Sequence, residues 1–224
     1  MPSYSALIFD LDGTLINSAP DIAAAVNRHF AAKGWPQLET DYVESFIGNG
    51  PRRLLGDIMS DLGLPDDEAA VTAATDGYIR NYAERPAEHT RFYAHVREDL
   101  EQLHAAGFRL GICTNKPQAL TQAVLRLLDL DRLFTVALGA DAVPACKPDP
   151  RHLLAVADAM ALPPGSWAYV GDTNVDKATA TAAGVPFFVV PWGGGALVDV
   201  HPARRLTRLG DLMQHGPRLA AAGE

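Results

Sequence analysis

The stretch "ALIFDLDGTLINS" (residues 6–18) runs four apolar residues into Asp10 and sets a second acid, Asp12, two places on. On an extended chain, positions two apart face the same way, so both carboxylates point to one side and Leu11 to the other. Like charges held together repel unless a cation or a proton intervenes. A hard divalent cation meets that need, and Mg²⁺ takes one or two carboxylates together with phosphate oxygens and water. Gly13 lets the backbone turn directly after the pair.

Three further groups invite the same question: Thr114-Asn115, Lys147, and the run "GDTNVD" with Asp172 and Asp176. Each has an ordinary structural reading when taken alone. An Asp-x-Asp is usually a turn or a helix cap. Thr114-Asn115 before Pro117 could cap the next helix, Lys147 beside Pro148 could be a solvated loop lysine, and "GDTNVD" could be a turn with a capped helix. What sets them apart is position, because each falls just past an apolar run. Ligands of open α/β sheets bind beyond the carboxyl ends of the strands, so these side chains gather at one sheet edge. There Asp172 would complete a metal set with Asp10 and Asp12.

The elements that must position them follow from the pattern. Continuous apolar runs mark strands buried on both faces of a parallel sheet: "ALIF" (6–9), "FRLGIC" (108–113), "LFTVAL" (133–138), "WAYV" (167–170) and "PFFVV" (186–190). Helical patterns alternate with them: "VREDLEQLHAAG", "PQALTQAVLRLL", "DPRHLLAVADAM" and "VDKATATAAG", with Asp149 as N-cap, Pro150 at the first helical position and Gly107 and Gly184 as stops. The class is α/β, a doubly wound, Rossmann-like parallel-sheet core. From about Ile16 to Arg91 the rhythm breaks into helical patterns without a convincing strand, and Gly34 ends the first of them. The expected division is a core of 1–15 and 92–224 and an inserted α-helical subdomain of 16–91, with linkers near 15–18 and 85–92.

Composition narrows the partners. Of 224 residues, 48% are hydrophobic and 21% charged, enough to bury a core, and the formal net charge of −8 disfavours nucleic acid and anionic membrane surfaces. A small anionic substrate stays open to a local cation or metal. Cys113 and Cys146 form no CxxC pattern and read as reduced thiols of a cytoplasmic protein. No apolar run approaches the roughly 18 residues of a membrane span. The beginning, "MPSYSALIFDL", reads as a first strand rather than a signal peptide. Only the final "AAAGE" is expected to lack order.

Together these residues resemble the motifs of the haloacid dehalogenase superfamily. "DLDGTL" matches its first motif, "TN" its second, the lysine of "KPDP" its third and "GDTNVD" its fourth, a likeness running from Ala6 to about Pro191. The resemblance implies that Asp10 attacks phosphorus and becomes an aspartyl phosphate. Asp12 would protonate the leaving alcohol and later activate water. Mg²⁺ would sit between Asp10, the Asp12 carbonyl, Asp172 and a phosphate oxygen. Thr114 and Lys147 would hold phosphoryl oxygens, Asn115 would add amide contacts or orient Asp10, and Asp176 would hold Lys147 or a metal-bound water. The second acid, Asp12, sets the chain apart from the dehalogenase and phosphonatase branches; Lys33 is the only lysine of the insertion. Thr14 favours phosphatases over sugar-phosphate mutases.

The insertion then resembles the family's α-helical cap. "FIGNGPRRLL" (46–55) is similar to the cap of phosphoglycolate phosphatases, as is "CTNKP" (113–117) in the core. Asn49 and Gly50 would offer amides to a small carboxylate, and Arg52 or Arg53 would pair with it; the alternative is that they cap and solvate a helix. Departures stand at His95, where the pattern Tyr-Pro-Gly-Val has glycine, at Asn17, where an acid is common, and at "WGGG" (192–195), which replaces a tyrosine-containing loop. Cys113 and Cys146 abut Thr114 and Lys147, with weak grounds for oxidative sensitivity. The implied activity is a Mg²⁺-dependent phosphatase for a small phosphomonoester, 2-phosphoglycolate being favoured. Alternatives are another small metabolite such as a sugar phosphate or pyrophosphate, a phosphomutase, or a non-catalytic binder of phosphorylated ligands.

Overall fold

The computed structural model describes residues 3–216, so the "AAAGE" tail lies outside the described residues. In chain order, β1 (Ala6–Phe9) leads through a two-residue strand, β2 (Ile16–Asn17), into four helices: α1 (Ala19–Lys33), α2 (Thr40–Glu44), α3 (Pro51–Asp61) and α4 (Glu68–Glu84). The chain returns by β3 (Arg91–Phe92) and continues through α5 (Val96–Ala105), β4 (Arg109–Cys113), α6 (Gln118–Leu127) and β5 (Phe134–Leu138). Then follow α7 (Pro150–Ala159), β6 (Trp167–Gly171), α8 (Asn174–Ala183) and β7 (Phe187–Val189).

The five apolar runs form one sheet in the order β5-β4-β1-β6-β7, with every neighbouring pair parallel. β1 is central, pairing with β4 from Ala6↔Arg109 to Phe9↔Ile112 and with β6 from Ala6↔Trp167 to Phe9↔Val170. Its side chains alternate between two cores: Leu7 and Phe9 join one, Ala6 and Ile8 the other, all fully buried. The strand order reverses beside β1. A crevice therefore opens beyond its carboxyl end, where Asp10 stands.

Helix ends largely follow the sequence. Gly34 (φ 70°) and Gly184 (φ 68°) close α1 and α8 in the left-handed conformation, and the Asp149 carboxylate caps α7 by accepting from Arg151 N at 2.9 Å. His95 precedes α5 at φ 64°, which explains why the related pattern has glycine there; a histidine in that conformation costs about 1 kcal/mol. Three elements were not foreseen. The five-residue α2 is too short to show a period. β2 and β3 pair antiparallel, Ile16↔Phe92 and Asn17↔Arg91, and tie the two ends of the insertion together. Strands of two residues leave no alternation to read.

The insertion packs α1, α3 and α4 around Val26, Phe30, Leu55, Ile58 and Tyr82, all fully buried. A Cβ at Gly77 would lie 2.1 Å from His29 Nδ1, so only glycine lets α4 approach α1 this closely. Asp21 near the start of α1 is buried and accepts from His89 N (2.9 Å), Thr90 N (2.7 Å) and Thr90 Oγ1 (2.6 Å), which clamps the outgoing helix to the returning chain. Tyr93 stacks on Trp192 at 5.5 Å, and Trp192 Nε1 donates to Thr14 O at 2.9 Å, so the same junction is braced from the core. No described helix is long and apolar enough to cross a membrane.

Asp21→Ala strands two buried donors, Thr90 N and Thr90 Oγ1, and the half-buried His89 N. It should lower the unfolding free energy by about 2–3 kcal/mol in urea denaturation. A loss below about 0.5 kcal/mol would show that the clamp contributes nothing.

Candidate active site

Asp10 follows β1 directly, its backbone held by Asp10 N to Val170 O at 2.9 Å, and it is buried. Lys147 Nζ reaches it from the loop after β5, 2.8 Å from Asp10 Oδ1 and 2.7 Å from Asp176 Oδ1. The Tyr169 hydroxyl completes this cage, accepting from Lys147 Nζ at 3.0 Å and donating to Asp176 Oδ1 at 2.8 Å. Asp176 also closes the capping box of α8: its Oδ2 accepts from Thr173 N (3.0 Å) and Thr173 Oγ1 (2.6 Å). Asp172 lies alongside, its Oδ1 accepting from Thr14 Oγ1 at 2.7 Å and its Oδ2 from Gly194 N at 2.9 Å.

Asp12 takes a different partner. Its carboxylate accepts from Ser18 Oγ at 2.6 Å and from Lys116 Nζ at 2.9 and 3.0 Å. The Lys116 ammonium also sits 4.4 Å from the centroid of the Tyr82 ring. The repulsion between the two acids of "DLD" is thus divided: each carboxylate has its own buried lysine.

The charges around Asp10 do not balance. Oxygens of Asp10, Asp172 and Asp176, all buried, lie within 4.8 Å of one another, and Lys147 alone opposes them. Burial pushes Asp172 up to about 8, with Asp176 and Asp10 adding to it. Burial also pushes Asp10 up to about 7 against the pull of Lys147, with Asp176 raising it further. Burial opposes ionisation of Asp176 too, but the Lys147, Thr173 and Tyr169 contacts hold it below the usual carboxylate range. A divalent cation fits this excess of buried negative charge. Asp10 and Asp172 would be the side chains to hold it, because each oxygen of Asp176 already accepts from two or more donors, whereas each oxygen of Asp172 accepts from one. The Asp12 carboxylate lies outside this cluster, which leaves its carbonyl as the expected contribution.

A cleft opens beside Asp10 and Asp12. Asp10, Asp12, Thr114 and Lys116 line it from the core, and Ile47, Gly50, Leu54 and Tyr78 from the insertion. Asn115 also borders it, but its amide is committed. Nδ2 donates to Gly48 O and to Lys147 O, each at 3.0 Å, and Oδ1 accepts from Lys147 N at 3.0 Å. The expected amide donation to phosphate is therefore corrected: both N–H groups are used, and Asn115 instead ties the Lys147 backbone to the insertion. Arg52 is corrected as well. It does not line the cleft; its guanidinium meets Thr72 Oγ1 at 2.9 Å and Glu68 at 3.6 Å on the surface. Arg53 turns to Asp57 at 2.8 Å, and Asn49 is exposed and outside the lining.

Several contributors escaped the sequence reading. Lys116 stood inside the quoted "CTNKP" without a role, although a lysine directly after the Thr-Asn pair was a signal. "WGGG" carries Asp172: a Cβ at Gly193 would lie 2.6 Å from Asp172 Oδ2, and Gly194 supplies the N–H. Gly13 approaches the same carboxylate, its Cβ position being 2.4 Å from Asp172 Oδ2. Three consecutive glycines after a strand mark such a close approach. Burial pushes the Cys113 thiol well above its usual value, which makes it inert, while Cys146 is exposed.

Comparison with known proteins adds an independent finding. The family described as haloacid dehalogenase-like hydrolase matches residues 7–190. The chain is 39% identical to a phosphoglycolate phosphatase of Cereibacter sphaeroides over 181 residues, 81% of this chain and 82% of that protein. It is 36% identical to a phosphoglycolate phosphatase of Nitrosospira multiformis over 197 residues, 88% and 87% of the two chains. Among solved structures it superposes with a TM-score of 0.81 on a protein of Haemophilus somnus described as a predicted phosphoglycolate phosphatase. That pair is 29% identical and covers 94% of this chain and 97% of the other.

The raised acids set the pH dependence of cation binding. A carboxyl with a raised pKa keeps its proton at lower pH, and a cation must displace that proton. Mg²⁺ should therefore raise the melting temperature little at pH 6 and more at pH 8, with proton release detectable by calorimetry in two buffers. Equal stabilisation at both values would contradict the assignment.

Proposed function

This chain belongs to the haloacid dehalogenase-like hydrolase family and is a phosphoric monoester hydrolase, and we propose that it hydrolyses 2-phosphoglycolate through a phosphorylated Asp10. The observation that carries the chemistry is the division of the two acids. Asp10 and Asp12 line one cleft, yet one is held by Lys147 and the other by Lys116.

Asp10 is the nucleophile. Lys147, 2.8 Å away, keeps a positive charge where the transferring phosphoryl oxygens come to rest, and the Thr114 hydroxyl on the cleft wall is the second group to hold them. Asp12, less deeply buried and fixed by Ser18, serves the leaving oxygen: it gives a proton in the first step and takes one from water in the second. Asp176 and Tyr169 keep Lys147 aimed. Asp10, Asp172 and the Asp12 carbonyl would hold Mg²⁺, which would supply the positive charge that this buried acid cluster lacks. The insertion, 16–91, acts as a cap over the core of 1–15 and 92–224, and its Ile47, Leu54 and Tyr78 exclude water from the reacting groups. The substrate assignment is supported by the related phosphatases, by the small cleft and by the likeness of "FIGNGPRRLL" to their caps. Free thiols and the lack of a membrane-crossing helix among the described residues suit a cytoplasmic metabolite enzyme.

Asp10→Asn should reduce phosphate release by at least about 10³-fold, and EDTA should stop it reversibly. A variant turning over at the wild-type rate would refute the nucleophile. A panel of phosphate monoesters assayed with Mg²⁺ should give 2-phosphoglycolate the highest kcat/KM, at least roughly tenfold above an aryl phosphate. Parity between the two would rule out the substrate while leaving the chemistry intact.

A further inference from the structure

The cleft has an unassigned cation. We infer that Lys116 reads the second negative charge of the substrate, a carboxylate separated from the ester oxygen by a single methylene. This inference rests on the reading of the site as a phosphatase for a small anionic phosphomonoester.

Three observations carry it. Lys116 is only 5% exposed, yet it lines the cleft, and its ammonium lies 2.9 Å from Asp12, the acid placed at the leaving oxygen. A group beside Asp12 is beside whatever leaves with that oxygen, and in 2-phosphoglycolate that is the carboxylate. Next, the ammonium has donor capacity to spare. It contacts the two oxygens of Asp12 and packs on the face of Tyr82, and an ammonium offers three N–H groups. Burial against a ring holds it in place before substrate arrives, so little ordering remains to be done on binding.

Finally, the other cations are committed or turned away. Lys147 is locked between Asp10 and Asp176, and Arg52 and Arg53 bind Thr72, Glu68 and Asp57 on the outer surface. The wall supplied by the insertion is apolar, with Ile22, Ile47, Leu54 and Tyr78. Among the described residues, Lys116 is the only cation lining this cleft, and Lys147, in contact with Asp10, serves the phosphoryl group. The specificity expected of Arg52 in the insertion thus passes to a lysine of the core.

The test is a ratio of kcat/KM values, 2-phosphoglycolate over ethyl phosphate, measured on one preparation so that the folded fraction cancels. Ethyl phosphate keeps the two-carbon ester and lacks the carboxylate. Lys116→Met should lower this ratio by roughly 10–100-fold, the worth of a charge-assisted contact. Lys116→Arg should keep it within about threefold of wild type. Lys116→Gln, which leaves Asp12 a hydrogen-bond donor, gives the same readout where the apolar variant does not fold. If Lys116 merely positions Asp12, both substrates lose alike, the ratio stays constant, and the inference is overturned. A wild-type preference for ethyl phosphate would refute the 2-phosphoglycolate reading. A further fall of the ratio in Lys116→Met would then still assign charge recognition to the lysine.

Discussion

The site depends on one buried ammonium. Lys147, with a side chain 1% exposed, stands between Asp10 and Asp176 and is opposed by a third buried acid, Asp172. Removing so many charges from water is costly unless each finds a partner. With its acids ionised the arrangement is short of positive charge, and that shortage suits the proposed cation. It also explains the density of donors around the acids. Thr14, Gly194 and Thr173 are placed so that carboxylate oxygens without a charge partner still have hydrogen bonds.

The fold delivers these groups from distant parts of the chain to the carboxyl edge of one parallel sheet. Asp10 rides on β1, Thr114 on β4, Lys147 on the loop after β5, and Asp172 and Asp176 on the turn from β6 into α8. Close approach is bought by small residues. Gly13 and Gly193 press against Asp172, and a side chain at either position would collide with its carboxylate. The insertion leaves and returns through the paired β2 and β3, a joint braced by Asp21 and by the stacked Tyr93 and Trp192. Asn115 links the two parts at the cleft itself, joining Gly48 O of the insertion to the backbone of Lys147.

Much of this was legible in the sequence, for identifiable reasons. Strands buried on both faces leave continuous apolar runs, which is how four of the five were found; β5 gave the same kind of run, yet it lies at the sheet edge with Thr135 exposed. Asp10, Asp12, Thr114, Lys147 and Asp172 were legible because each follows such a run. Residues whose roles depend on the direction of a long side chain were not. Arg52 and Arg53 sit in the segment that lines the cleft, yet helix geometry turns both guanidinium groups to the outer surface. Lys116 goes the other way, inward: its place after the Thr-Asn pair was a signal, but its direction shows only in its contacts with Asp12 and Tyr82. Asn115 was placed correctly beside the cleft, but its hydrogen bonds go to backbone groups 32 and 67 positions away, which no local pattern shows.

In the proposed reaction Asp10 accepts the phosphoryl group and Asp12 moves the protons. An aryl phosphate needs no acid to expel its leaving group, so in Asp12→Asn protein the first step should proceed while the second, lacking a base, stalls. Rapid acid quench of that variant with an aryl phosphate, followed by peptide mass mapping, locates the transferred phosphoryl group. A phosphoryl adduct on Asp10, labile to hydroxylamine as an acyl phosphate should be, is the expected result. Phosphate found on another residue, or turnover of the variant with Asp10 unmodified, would contradict it.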